Sequence, residues 1–272
     1  MHRLAFCFAA FAAAQDLSTI EHGGLKRTYR LYRPENAPRP APLVIVLHGA
    51  GGESARMPRV TGFNELARRE GFLVAYADGF ERHWNDLRGI PEWSAHRNNV
   101  DDVGFFSALI DRLVASEGVD PRRVYVTGIS NGGLMSHRLG CELAGKVAAI
   151  APVVRTLTVK LAAQCRPARP IPVLMFFGTA DKLVPFEGGI QKMGSAETPV
   201  LSARQTVRRW AELDGCGRPE VSRPESTVEF IHYSGCRQGA RIDAYIREGA
   251  GHSWPPGATE AIWSFFRAAR IQ

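Results

Sequence analysis

Nine residues, Tyr125-Val126-Thr127-Gly128-Ile129-Ser130-Asn131-Gly132-Gly133, restrict the architecture of this chain more than any others. An apolar, strand-type run stops at Gly-x-Ser-x-Gly and gives way to small and apolar residues suited to a buried helix. Such a pattern makes a tight strand-to-helix turn that lifts one serine clear of a sheet. Gly128 and Gly132 lack the Cβ atoms that would crowd the turn. A helix starting after Ser130 brings unbonded N–H groups and the positive end of its dipole to the place where an oxyanion would form.

The rest of the chain supplies a sheet for that turn. Continuous apolar runs at Pro42–Leu47, Gly71–Ala77, Arg123–Thr127, Val147–Pro152, Pro172–Phe177 and Ile242–Arg247 read as strands buried on both faces, which is how parallel strands look. Helical periodicity separates several of them, at Val103–Ala115, Leu201–Leu213 and Thr259–Ala269. The β–α order predicts a mostly parallel α/β sheet with helices on both faces. Tyr29–Tyr32 suits an antiparallel edge strand, and Val228–Tyr233 alternates as a half-buried strand does. The interval between the Val147 and Pro172 strands is too short for a large cap domain. Any cover over the site therefore comes from the loops at 80–100 and 184–198.

Residues 1–14 differ in kind from the remainder. Met1-His2-Arg3 is a short basic start, Leu4–Phe11 is apolar, and Ala12-Ala13-Ala14 supplies small residues before Gln15. This is the pattern of a secretory signal peptide, leaving residues 15–272 as a single catalytic domain in a secreted protein, extracellular or periplasmic. No apolar run approaches the ~20 residues of a membrane span. Outside the leader four cysteines remain, Cys141, Cys165, Cys216 and Cys236, and they allow three pairings. Local spacing favours Cys141–Cys165 and Cys216–Cys236, in keeping with an oxidising compartment. No Cys-x-x-Cys or His-Glu-x-x-His motif is present to indicate a metal. The formal charge of +7 is spread along the chain without a Lys/Arg block or a nucleic-acid-binding motif, so a solvated surface explains it and nucleic acid is not an expected partner.

A serine hydroxyl needs a base, and the base an orienting acid. With the nucleophile on such a turn, acid and base follow it in the order Ser, Asp or Glu, His. Asp181 leaves a buried strand in Phe176-Phe177-Gly178-Thr179-Ala180-Asp181, and His252 follows the last strand in Gly249-Ala250-Gly251-His252. Singly, Asp181 could be a turn aspartate and His252 a loop histidine; together, in the required order, they predict a triad with Ser130. His232 and Asp243 are rivals, but both sit inside strand patterns. The oxyanion donors are expected to be the backbone N–H groups of Asn131 and Ala50, the latter in the glycine-rich loop His48–Gly52. His48 itself reads as a loop anchor.

These pieces resemble secreted polyhydroxybutyrate depolymerase-like and feruloyl esterase-like members of the α/β-hydrolase superfamily. The resemblance rests on Leu47-His48-Gly49-Ala50-Gly51-Gly52, Ala77-Asp78-Gly79 with Trp84-Asn85, Asp101-Asp102-Val103-Gly104-Phe105, the Ser130 turn, Gly178-Thr179-Ala180-Asp181 and Gly251-His252-Ser253-Trp254-Pro255. It implies an α/β-hydrolase fold without a large cap, and Ser130, Asp181 and His252 acting on carboxylic esters without metal or organic cofactor. It also implies pairing of Cys141 with Cys165 and Cys216 with Cys236. No polymer-binding module follows Gln272, which favours small or oligomeric esters over solid polyester. Trp84, Trp93 and Trp254 are candidate walls for a flat acyl group, with loop packing as the alternative. An acyltransferase using the same triad, or a binding protein on the same fold, are the competing functions. The oligomeric state is not encoded in any of these features.

Overall fold

The computed structural model describes residues 17–272. The leader at 1–14, and Cys7 within it, lie outside the described residues. Ten strands form one sheet in the order β1-β2-β4-β3-β5-β6-β7-β12-β11-β10. Its parallel centre consists of β3 (Ala41–Leu47), β4 (Leu73–Ala77), β5 (Val119–Ile129), β6 (Ala149–Val153), β7 (Val173–Gly178) and β12 (Ile242–Arg247). Antiparallel strands extend both sides: β1 (Leu17–His22) and β2 (Leu25–Tyr32) on one, β11 (Val228–Tyr233) and β10 (Pro219–Glu225) on the other.

The unbroken apolar runs have the expected cause. Along β3, Leu43, Ile45 and Leu47 enter the core on one face of the sheet, while Val44 and Val46 enter the core on the other. On the first face lie α4 (Asp102–Glu117), α5 (Asn131–Glu142) and α7 (Ala203–Asp214), contributing Phe106, Leu139 and Trp210 among others. On the second lie α1 (Met57–Thr61), α2 (Phe63–Glu70) and α8 (Ala258–Phe266), where Phe72 stacks on Trp263 at 3.9 Å between ring centroids. Short helices α3 (Ser94–Arg97) and α6 (Val159–Gln164) sit in the connections.

Two sequence expectations need correcting. Tyr29–Tyr32 belongs to an antiparallel strand, but β1 pairs outside it and takes the edge. The segment 184–198 is not all loop: β8 (Gly189–Met193) and β9 (Ala196–Val200) form a separate hairpin. Its mixed polar and apolar composition hid the pairing. Strand β10 was equally invisible, since every residue in it is exposed and carries no burial pattern.

Both disulfides are formed, Cys141–Cys165 between α5 and the end of α6, and Cys216–Cys236 between the end of α7 and the end of β11. Next to the second pair, Asp214 is fully buried and both its oxygens accept the Ile171 N–H, at 3.1 and 3.3 Å. Burial raises its pKa to about 7, against the Ile171 bond and the charges of Arg237 and Arg169. An unfolded aspartate titrates near 3.9, so between about pH 4 and 7 the folded chain holds a proton that the unfolded chain has released. This contribution is complete below pH 4, declines as pH rises to about 7, and is constant above. Urea unfolding at pH 4.5 and 8 should show wild type losing on the order of 2–4 kcal/mol more than Asp214→Asn over that interval. Parallel losses in the two proteins would show that Asp214 is ionised in the native state.

Candidate active site

The carboxyl ends of β5, β7 and β12 deliver Ser130, Asp181 and His252 to one edge of the sheet. Ser130 has φ 58° and ψ −115°, a left-handed conformation unusual for a residue with a Cβ. It is held there by packing. A Cβ on Gly128 would come within 2.6 Å of the Gly132 carbonyl oxygen, and one on Gly132 within 2.5 Å of the His48 oxygen. Only glycines let the strand, the turn and the β3 loop approach this closely. Ser130 N–H donates to the Val153 carbonyl at 3.1 Å, fixing the turn to β6.

Two loops carry Asp181 and His252, and they are stitched together. Ala180 N–H donates to the Ala250 carbonyl at 3.0 Å, Gly249 N–H donates to Thr179 Oγ1 at 2.9 Å, and Gly178 leaves no room for a side chain beside Ala250. His252 Nδ1 then lies 2.7 Å from Asp181 Oδ2. The other carboxylate oxygen accepts the N–H groups of Leu183 and Val184 at 2.8 and 2.9 Å. Burial pushes the Asp181 carboxyl up, but these bonds and the His252 charge outweigh it and hold the group below the usual carboxylate range. An ionised Asp181 makes Nδ1 the protonated nitrogen and leaves Nε2 free to accept. The rivals also pair: His232 Nδ1 lies 2.6 Å from Asp243 Oδ1, but on β11 and β12, in the body of the sheet.

Opposite, the His48–Gly52 loop lies against Ser130, and a Cβ on Gly49 would stand 3.4 Å from the Ser130 Cβ. His48 is buried; its Nε2 accepts Gly79 N–H at 2.9 Å, which makes Nδ1 the donor to the Gly49 carbonyl at 2.7 Å. Both ring nitrogens are thereby used in holding the loop, as its strand-end position suggested. Ala50 is exposed on this loop, and Asn131 opens α5, whose first N–H groups have no helical acceptor.

For Trp84 and Trp93 the structure follows the loop-packing alternative. Trp84 is 0% exposed, packs on Phe106 and donates its indole N–H to the His48 carbonyl at 2.9 Å. It supports the loop from inside and cannot line a pocket, because its ring belongs to the core. Trp93 is buried between His83, stacked at 4.2 Å, and the Arg88 guanidinium at 4.8 Å. Trp254 keeps a partly exposed surface, packs edge-on against Phe63 and donates to Thr259 Oγ1 at 3.0 Å. The two expected covers do meet: Ser195 N–H donates to Glu92 Oε1 at 2.8 Å. A cleft of about 310 Å³ opens among the first cover, the β8–β9 hairpin and the start of α6, lined by Leu87, Arg88, Thr158, Lys160, Glu197 and Pro199.

A group of buried polar residues went unread in the sequence. Asn131 Nδ2 donates to Asp86 Oδ2 at 2.6 Å and to the Trp84 carbonyl at 3.1 Å, while its Oδ1 accepts Trp84 N–H at 2.9 Å. Asp86 also receives the Arg88 guanidinium, with contacts from 2.6 to 3.0 Å, and lies 3.3 Å from His96 Nε2. Arg88, in a loop without periodic patterning, looks like surface; its side chain is 1% exposed. The one available signal was the density of Asp, Asn, Arg and Trp in a loop that must fold back over the serine.

Against known proteins, the family model described as "Esterase PHB depolymerase" matches residues 27–157, which include Ser130 but end before Asp181 and His252. NocK of Nocardia uniformis subsp. tsuyamanensis, a protein carrying an esterase name, is 35% identical over 254 residues, 86% of this chain and 72% of NocK. This chain belongs to the PHB depolymerase esterase family. Feruloyl esterase B of Piromyces equi is 30% identical over 232 residues; the match spans 84% of this chain but only 42% of that protein. An acetyl xylan esterase from Aspergillus awamori shares the fold, with a TM-score of 0.65 at 14% identity, covering 92% of this chain and 99% of that one. A family member with this fold and these relatives is a carboxylic ester hydrolase. Among the described residues no helix is long and apolar enough to cross a membrane.

Proposed function

We propose that this esterase is exported and works through an acyl-enzyme on Ser130, with hydroxycinnamoyl (feruloyl-type) esters as its substrates. The observation that carries the reading is the Asp181–His252 hydrogen bond at the same sheet edge as the strained Ser130 turn. In this mechanism His252 Nε2 takes the Ser130 proton as Oγ attacks the ester carbon. The carbonyl oxygen becomes an oxyanion facing the N–H groups of Asn131 and Ala50. The tetrahedral species collapses, His252 returns the proton to the leaving alcohol, and water repeats the sequence to free the acid. Asp181 holds the imidazole in the required tautomer and stabilises its charged form.

The substrate class rests on the relatives named as feruloyl esterases. Export rests on the N-terminal pattern and the two disulfides. The family description favours a second substrate class, short hydroxyalkanoate oligomers.

Turnover of methyl ferulate is to be compared with that of a soluble 3-hydroxybutyrate oligomer, using Ser130→Ala as the blank. A large preference for ferulate is expected. Preference for the oligomer would transfer the assignment to polyester breakdown, and transfer of the acyl group to an added alcohol in place of hydrolysis would make the protein an acyltransferase.

A further inference from the structure

Between the nucleophile strand and the acid strand, β6 ends in an unusual way. Val154 has φ 46°, a conformation that a β-branched residue adopts only under constraint, and it turns the chain so that Arg155 is wholly buried. A Cβ on Gly133 would come within 2.9 Å of the Arg155 Cβ, so the α5 glycine makes space for this side chain. The guanidinium makes one protein bond, from Nη1 to Gln191 Oε1 at 2.7 Å. Its Nε and Nη2, and Oγ1 of the equally buried Thr156, have no hydrogen-bond partner in the protein. Three such atoms on two consecutive residues require an explanation, because burying a polar group without a partner is unfavourable.

Arg155, Thr156 and Asp181 are the polar residues lining one small cavity, whose other walls are apolar and include Phe177, Val184 and Phe186. Its volume of about 10 Å³ is what a single water occupies by the same measure, roughly 10–15 Å³. The surrounding chemistry suits a water: guanidinium donors, a hydroxyl able to give or take, and a carboxylate able to accept. We propose that this cavity is a one-water site through which Arg155 acts as a positioning residue for Asp181, holding the acid in place and setting the charge felt by the Asp181–His252 pair. The proposal rests on the triad reading above.

The charged and titratable groups around Arg155 are few. Arg88 and Asp86 come from the 80–93 segment, with His96 of α3 against Asp86. His137 of α5 contacts the Arg155 carbonyl through Nε2, and Asp181 with His252 stands on the other side. Asp86 is engaged by Arg88, which leaves Asp181 as the carboxylate with which the second buried arginine can be balanced. Burial and Arg88 bring the pKa of Arg155 down to about 9, so the guanidinium remains cationic at neutral pH. Gln191 extends the arrangement, since its Nε2 donates to the Leu183 carbonyl beside Asp181 at 2.7 Å.

The test has two readouts. A crystal structure of the wild-type chain should show an ordered water within hydrogen-bond distance of Arg155 and of Thr156 or Asp181; a dry cavity overturns the site, whatever the catalytic residues prove to be. The second is the pH–rate profile of Arg155→Met, a substitution of similar volume that removes the charge. Its acid limb should move up by about half a pH unit or more, with kcat lowered about tenfold. Arg155→Lys should return the limb to its wild-type place. An Arg155→Met protein whose limb stays with wild type removes the positioning role, even if its stability changes. Should that variant not fold, Thr156→Val provides the same readout from the other wall, with a smaller shift in the same direction expected and no shift counting against the proposal. Activity surviving in Ser130→Ala would instead defeat the triad reading, leaving the water to be judged on density alone.

Discussion

Replacing Ser130 by alanine should reduce kcat/KM on a soluble ester by at least about 10⁴-fold, because no group is left to form the acyl-enzyme. The unfolding midpoint should not change, for a reason specific to this turn. Alanine inherits the Cβ of serine and hence the same strain at φ 58° and ψ −115°. No hydrogen bond of the fold is lost, since the bond that anchors the turn is made by the backbone N–H to Val153. Ser130→Gly is the informative companion. It should be equally inactive yet more stable, by about 1–3 kcal/mol, because glycine enters this region without strain. A gain in stability on removing the Ser130 side chain would identify the turn as a conformation maintained for chemistry. A Ser130→Ala protein with wild-type turnover, or wild-type protein inert to a serine-reactive phosphonate, would reject the mechanism.

The sequence and the structure agree most closely where one local rule dominates. The parallel strands were legible because burial on both faces leaves an unbroken apolar run, as along Ala41–Leu47. The Ser130 turn was legible because close backbone approach admits only glycine at 128 and 132. Asp181 and His252 could be read from their order and from the strand ends they follow. Legibility failed where partners are distant in sequence and patterning is absent. Strand β10 pairs with β11 but buries nothing, and the β8–β9 hairpin has no periodic apolar face. Asp86 and Arg88 have the composition of a surface loop, and their burial depends on partners elsewhere in the chain, Asn131 for Asp86 at a separation of 45 residues and Gln191 for Arg88 at 103. For Trp84 the sequence leaves pocket wall and loop packing both open for the same reason: an aromatic side chain in a long loop can turn inward or outward, and its partner Phe106 on α4 decides which.

That buried arrangement carries the second large effect. Asp86 binds Arg88, His96 and Asn131 at once, and all of them are buried. Burial pushes its carboxyl up, but the Arg88 charge and the bonds from His96 and Arg88 outweigh this and hold it well below the usual carboxylate range. A carboxyl depressed in the folded state contributes stability above its unfolded value near 3.9, and that contribution disappears as pH falls through the folded value, so it is complete at neutral pH. Asp86→Ala therefore leaves Arg88 as a buried cation without its counter-charge, and chemical denaturation at pH 7 should register a loss of about 3–5 kcal/mol. The same substitution releases the Asn131 side chain at the start of α5, so that the N–H proposed to face the oxyanion is no longer fixed by the bond to Asp86. Losing one oxyanion donor costs about 10²–10³-fold in kcat, and a partly misplaced Asn131 should fall at or below that range with KM little changed. Stability and rate separate in the double variant Asp86→Ala/Arg88→Met. Removing the cation as well should restore most of the stability, since a buried ion pair can give way to apolar packing at small cost. The rate should stay low, because Asn131 still lacks its acceptor. If kcat recovers together with stability, Asp86 serves the fold alone, and the orientation of Asn131 must come from its remaining bonds to Trp84.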